Sequence, residues 1–318
     1  MTGPALRPAY WESGGRKTAV AAFLLVAIVG GLYMAAGSFA SMFIVLARYL
    51  ASPPAATGHG LNYLEGLRRT YQQFQVPLLS LTLVFEFVFF LGLTLFIFRR
   101  WHGLKVREYF RLKPAHPILL LLAVAGAVAL IPFVNWTAEL LMKPFPVLRE
   151  LEEASNALLT VRKPWHWVFL ILTVGVTPAI CEEFLFRGYF HRTLERTFGQ
   201  PGVFFLSGAV FGLIHQNYFG LVALVLVGAY LGFVYQRIRS LWASSLSHFA
   251  YNTTLIVLLN LAPAGAAMTK ADGSSKAIVV LGSLIASILI ITVITLATRS
   301  RKETSAVTAG GEVTSATE

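Results

Sequence analysis

Two adjacent carboxylates sit in an otherwise apolar stretch, Cys181-Glu182-Glu183-Phe184-Leu185-Phe186-Arg187-Gly188. Ionisable side chains in such surroundings are costly and tend to be functional. Glu183 and Arg187 are four apart, so in a helix they share a face, with the acid ahead of the base, and can neutralise each other. Glu182 points about 100° away from that face and is not served by the same arginine. It is the free carboxylate, suited to act as a base. Further on come Phe211-Gly212-Leu213-Ile214-His215, and then His248 and Asn252, again four apart on one helical face. Cys181 beside Glu182 reads as packing rather than as a nucleophile.

One free carboxylate, two histidines and an amide suit the activation of water. A hydrolytic metal site needs about three protein ligands and an open position; Glu182, His215 and His248 would supply them. A metal-free version would use Glu182 as base, with His248 and Asn252 as oxyanion donors. No HExxH occurs, which excludes the common zinc-protease arrangement.

The elements that must position these residues are membrane helices. The chain has 318 residues, 56% hydrophobic and 13% charged, with mean hydropathy +0.67. Its apolar runs have membrane length, about 20 residues each. The fold class is therefore all-α, a polytopic membrane protein of about eight transmembrane helices. The expected spans are 18–49, 76–98, 117–142, 166–190, 201–217, 219–237, 241–263 and 277–298. Residues 51–75 suggest an interfacial helix. Gly208-x-x-x-Gly212 and Gly228-x-x-x-Gly232 suit close helix contact. The net charge of +11 reflects basic residues flanking the spans and calls for no nucleic acid. The basic segment 99–113 reads as a topology determinant in contact with lipid. With the N-terminus inside, the Lys/Arg bias puts both termini in the cytoplasm, at the plasma (inner) membrane of a prokaryote. His59, His102, His116, His166 and His191 are expected near interfaces and solvated. Glu86 lies in mid-span, a candidate to support the site by pairing with Arg187, Arg192 or another polar group.

Spans four and five form a hairpin turning near Gly199-Gln200-Pro201. Glu182 lies 17 residues before Gly199 and His215 lies 16 after it, so at about 1.5 Å per residue they share a depth. His248 is placed shallower, about two turns from the end of its span.

Glu-Glu-x-x-x-Arg (182–187), Phe-x-x-x-His (211–215) and His-x-x-x-Asn (248–252), in that order on successive spans, resemble the CPBP (Abi) family of intramembrane CAAX proteases and bacteriocin-processing proteins. The resemblance covers roughly 165–260. It implies peptide-bond hydrolysis in the membrane, with Glu182 and His215 activating the water. It puts His248 and Asn252 at the oxyanion or metal side, with Glu183 and Arg187 completing the first motif. A divalent metal, zinc, is the implied cofactor. The implied partners are the lipid bilayer and a peptide or protein substrate, lipid-modified in the eukaryotic members. The chain then divides into an N-terminal region (1–160, three spans and a basic cytoplasmic loop 99–116), a catalytic core (161–265), and a last span with a disordered cytoplasmic tail (266–318). Two rivals use the same residues: a non-catalytic immunity or scaffold protein, and a transporter relaying ions or protons. The lack of duplicated halves disfavours the second.

Overall fold

A computed structural model describes residues 18–51, 60–102, 104–200, 202–215, 220–261 and 273–314. They form helices joined by turns: α1 (Thr18–Ala51), α2 (Gly60–Gln73), α3 (Gln75–His102), α4 (Val106–Tyr109), α5 (Pro117–Met142), α6 (Pro146–Ser155), α7 (Trp165–Phe198), α8 (Val203–Ile214), α9 (Leu221–Ile238), α10 (Leu241–Leu261) and α11 (Gly273–Thr314). His59 lies outside the described residues.

The chain is an all-α polytopic membrane protein. Among the described residues, six helices are long and apolar enough to cross a membrane: Thr18–Ile44 of α1, α3, α5, α7, α9 and Lys276–Arg299 of α11. The other two expected spans are present as helices of different character. α8 has 12 residues, about 18 Å at 1.5 Å per residue, which is short for a hydrocarbon core of about 30 Å. α10 is 21 residues long but interrupts its apolar surface with Ser244, Ser245, Ser247, His248 and Asn252. α2 occupies the segment expected to be an interfacial helix. α11 continues as helix to Thr314, through the stretch expected to be disordered. Lys302, Glu303 and Ala306 favour helix, and the register is already set by the span before them.

α8 and α9 pack along their lengths, with α5 against α9, α10 and α11. The glycine motifs explain the first contact. A Cβ on Gly208 would strike the Ala229 amide nitrogen, and one on Gly228 would strike Gly208 Cα. α7 runs on to Phe198 and ends at Gly199, whose φ of 77° suits a residue without a Cβ. The hairpin therefore turns where the sequence places it.

Two long helices are not regular. α3 widens to π-helical turns over Glu86–Leu93, and α7 does so over Ile171–Val176 and Phe184–His191. Such turns are frequent at functional sites. In α7 they bracket Thr177–Glu183, the segment that carries both glutamates.

Candidate functional site

The site is assembled from three helices. α7 supplies Glu182, Glu183 and Arg187, the C-terminal end of α8 supplies His215, and α10 supplies His248 and Asn252.

Glu183 and Arg187 are fully buried and paired as their spacing requires, with Arg187 Nη1 donating to Glu183 Oε1 at 2.7 Å. Arg187 Nη2 donates to the Gly228 carbonyl at 2.8 Å, within reach because the glycine contact brings the α9 backbone close. The guanidinium lies 4.6 Å from the centroid of Phe211. Glu183 has a further partner that its spacing does not reveal: His248 Nδ1 donates to Glu183 Oε1 at 3.0 Å.

Glu182 faces the other way. His215 Nε2 is 3.6 Å from its Oε1, and His248 Nε2 is 3.9 Å from its Oε2. Both separations exceed a direct hydrogen bond. Both histidines have committed their other nitrogen. His215 Nδ1 donates to the Phe211 carbonyl at 2.7 Å, and His248 Nδ1 is held by Glu183. The Nε2 atoms are thus fixed in direction towards one carboxylate. Phe211 is the pivot of this arrangement. Its ring lies 4.3 Å from that of His215 and 5.9 Å from that of His248. Its place in the Phe-x-x-x-His motif carries no sign of that role.

His248 therefore shares the site with the hairpin pair instead of lying at a shallower level. Asn252, one turn on, points away from the water site, and its Nδ2 donates to the Val174 carbonyl at 2.9 Å. Pro178, four residues after Val174, has no N–H to offer that carbonyl. Asn252 thus supplies the hydrogen bond that the proline withholds, and it ties α10 to α7 just ahead of the glutamates.

Glu182 is 6% exposed, and its Oε2 has no hydrogen-bond partner among the described residues. It lines a cavity of about 350 Å³ together with His215, Ile214, Phe85, Phe90 and a face of α1. The His215 side chain is 26% exposed, against 4% for His248. Glu182 and His215 are thus reachable from the cavity, while His248, Glu183 and Arg187 lie behind them.

Glu86 is buried on the π-helical stretch of α3, which packs against the glutamate segment. Its Oε2 has no hydrogen-bond partner among the described residues, and Glu182 acts on it electrostatically. The expected pairing with Arg187 or Arg192 is not what occurs. Arg192 donates instead to Glu195 Oε2 at 3.0 Å. Cys181 is buried among the apolar core residues of α1, α3 and α7, as its packing reading expects.

The solvated histidines are a second correction. His102, His166 and His191 are buried. His102 Nε2 hydrogen-bonds to Tyr189 OH at 2.9 Å, and His166 Nδ1 accepts from the Arg162 amide at 3.4 Å. His191 packs against Tyr235 of α9 and His102 against Phe98 and Tyr189, cross-helix and local contacts that hydropathy does not register. His116 is on the surface and accepts from the Ile118 amide. Arg111, read as part of a lipid-facing basic run, is also buried. It has φ 56°, pairs through Nη2 with Glu195 Oε2 at 2.6 Å, and lies over Tyr235 at 4.9 Å. In the same loop, burial pushes the Tyr109 phenol up, and its OH is 2.7 Å from Thr193 Oγ1.

The donor types around Glu182 suit zinc, with two directed imidazole nitrogens and a carboxylate. However, among the described residues no group of three or more His, Cys, Asp or Glu side chains is arranged to hold a metal ion.

Residues 164–254 match the family model of the type II CAAX prenyl endopeptidase, Rce1-like. This range contains all seven fixed residues of the three motifs and agrees with the resemblance to the intramembrane CAAX proteases. No curated protein and no solved structure matches the chain.

Proposed function

We propose that the chain is an intramembrane endopeptidase that activates water with Glu182 and His215. One observation carries this reading: the Glu182 carboxylate lies between two fixed imidazole nitrogens, within 4 Å of each, and opens to a cavity. A water held by Glu182 and His215 Nε2 attacks the scissile carbonyl carbon. As its oxygen forms the new bond, its proton passes to Glu182 and the carbonyl π pair moves onto oxygen. His248, with Nδ1 held on Glu183, donates from Nε2 to that oxyanion. The intermediate collapses, the C–N bond breaks, and Glu182 returns the proton to the leaving amine. Glu183, Arg187 and Phe211 hold the histidines in place, and Asn252 acts as a brace on α7.

The substrate class is a peptide at the membrane, with a prenylated CAAX-type peptide as the first candidate. The Lys/Arg bias of the sequence supports a topology with the basic loop and both termini on the cytoplasmic side. Zinc on Glu182, His215 and His248 is a separate proposal that requires the three side chains to close on one point; metal analysis of the purified protein tests it.

The deciding experiment uses an internally quenched, prenylated CAAX-type peptide in proteoliposomes. Cleavage by the wild type, with loss in Glu182→Gln and His215→Ala variants that remain folded, is the expected result. Equal cleavage by all three would sink the reading, and a cellular phenotype that survives these substitutions would favour the non-catalytic rival.

A further inference from the structure

The cavity at Glu182 has a wall that the matched range 164–254 does not contain. α1 is an apolar helix whose Phe39, Met42, Phe43 and Leu46 are exposed, as on a lipid-facing surface. Its cavity face differs. Tyr33, Gly37, Ser38 and Ser41 line the cavity, spaced so that they fall on one side of the helix. Serine and threonine in the other helices mostly bond back to their own turn, as Ser247 does to Ala243 and Ser287 to Ser283. Ser38 and Ser41 make no such bond among the described residues. Gly37 faces open space, since a Cβ there would meet nothing within 4 Å. Opposite them stand Glu182, with its unpartnered Oε2, and His215.

A peptide must be extended to be cut, and an extended backbone in hydrocarbon has no partners for its N–H and C=O groups. A row of hydroxyls is what such a backbone lacks. From Tyr33 to Ser41 the helix rises about 12 Å, the length of roughly three to four extended residues at about 3.3 Å each.

We infer that α1 is the substrate-binding wall of the site. Ser38 and Ser41 bond the main chain of an extended substrate segment, and the gap at Gly37 leaves room for it against Glu182 and His215. The inference rests on the endopeptidase reading for the identity of its occupant.

The test uses full-length protein in lipid nanodiscs and a prenylated CAAX-type peptide with a benzophenone residue beside the prenylated cysteine. In the Glu182→Gln variant, light-induced labelling mapped by mass spectrometry should fall on residues 33–41. Gly37→Leu, which replaces a helix-weakening glycine at a position where a Cβ meets no neighbour, should keep or raise the melting temperature. It should cut labelling and cleavage at least tenfold. Ser38→Val with Ser41→Val should raise KM about fivefold and leave kcat within twofold. Cleavage by the wild type with labelling absent from α1 overturns the inference and leaves the endopeptidase reading standing. Labelling of α1 without cleavage supports the wall and sinks that reading. A Gly37→Leu protein that is labelled and cleaves like the wild type also overturns the inference.

Discussion

Helix α7 carries two buried carboxylate–arginine clusters, and they are built to different ends. At Glu195, Arg111 Nη2 and Arg192 Nη1 both reach Oε2, at 2.6 and 3.0 Å, and Tyr235 covers the guanidinium of Arg111. The charge is met from both sides, so this cluster clamps the loop before α5 onto the end of α7. Ser240 Oγ donating to the Lys113 carbonyl and the Leu241 amide donating to the Arg111 carbonyl extend the clamp to α10. Twelve residues earlier, Glu183 takes Arg187 and His248 on Oε1, while its Oε2 is buried with no hydrogen-bond partner among the described residues. Beside it, Glu182 has only long contacts to two imidazoles and opens onto a cavity. The contrast separates two uses of a buried acid. Where an arginine meets the charge at short range and no cavity arrives, the acid is architecture. Where one acid of a pair is settled so that its neighbour is not, the neighbour is available for chemistry.

Substitutions can break this comparison, and the largest effect belongs to Glu182. Glu182→Gln should lower peptide cleavage about 10³-fold, in the range for losing a general base, with the thermal midpoint unchanged. A fall in midpoint matching that of a Glu195 variant would erase the distinction. Glu195→Ala should do the reverse. It leaves Arg111 buried without its acid, which costs about 3–5 kcal/mol of stability, while cleavage per folded molecule stays near the wild-type rate; denaturant titration in detergent alongside activity reads both. Asn252 sharpens the boundary between the two uses. Asn252→Ala should destabilise by about 1–3 kcal/mol, the cost of an unpaired buried carbonyl, and Pro178→Ala in the same chain should recover most of it by restoring an N–H to Val174. If the double variant stays inactive while regaining stability, Asn252 serves the reaction directly. The smallest effect is expected at Glu86. Glu86→Leu removes a buried, incompletely bonded carboxyl and should raise stability by about 1 kcal/mol. A loss of activity in the more stable protein would move Glu86 from bystander to participant.

Much of this was legible in the sequence, for particular reasons. Four-residue spacings report directly on a helical face, so the Glu183–Arg187 pair and the isolation of Glu182 could be read from residue numbers. The hairpin at Gly199 put His215 at the depth of Glu182 because both arms are helices of known rise. His248 was harder, since its level depends on how α10 packs against α7, and no local spacing encodes that. Its bond to Glu183 and the Asn252 bond to Val174 are cross-helix contacts of the same kind. The latter had a signal in Pro178, which necessarily strands a carbonyl four residues back. The burial of His102, His166, His191 and Arg111 stayed hidden because hydropathy marks where a span ends and says nothing about what covers the end. The cavity face of α1 was hidden for a similar reason: two serines and a glycine barely disturb an apolar run of that length.

The π-helical turns of Phe184–His191 lie between the two clusters on α7. A wide turn accommodates an extra residue that an ordinary α-helical turn would not, so the twelve-residue interval from Glu183 to Glu195 is not imposed by helix geometry. A chain one residue shorter here could relax to plain α-helix and keep both clusters on the faces they now occupy. Among distant relatives, the spacing between the glutamate pair and the end of this helix should therefore vary in length, and a gap there would not signal a missing motif.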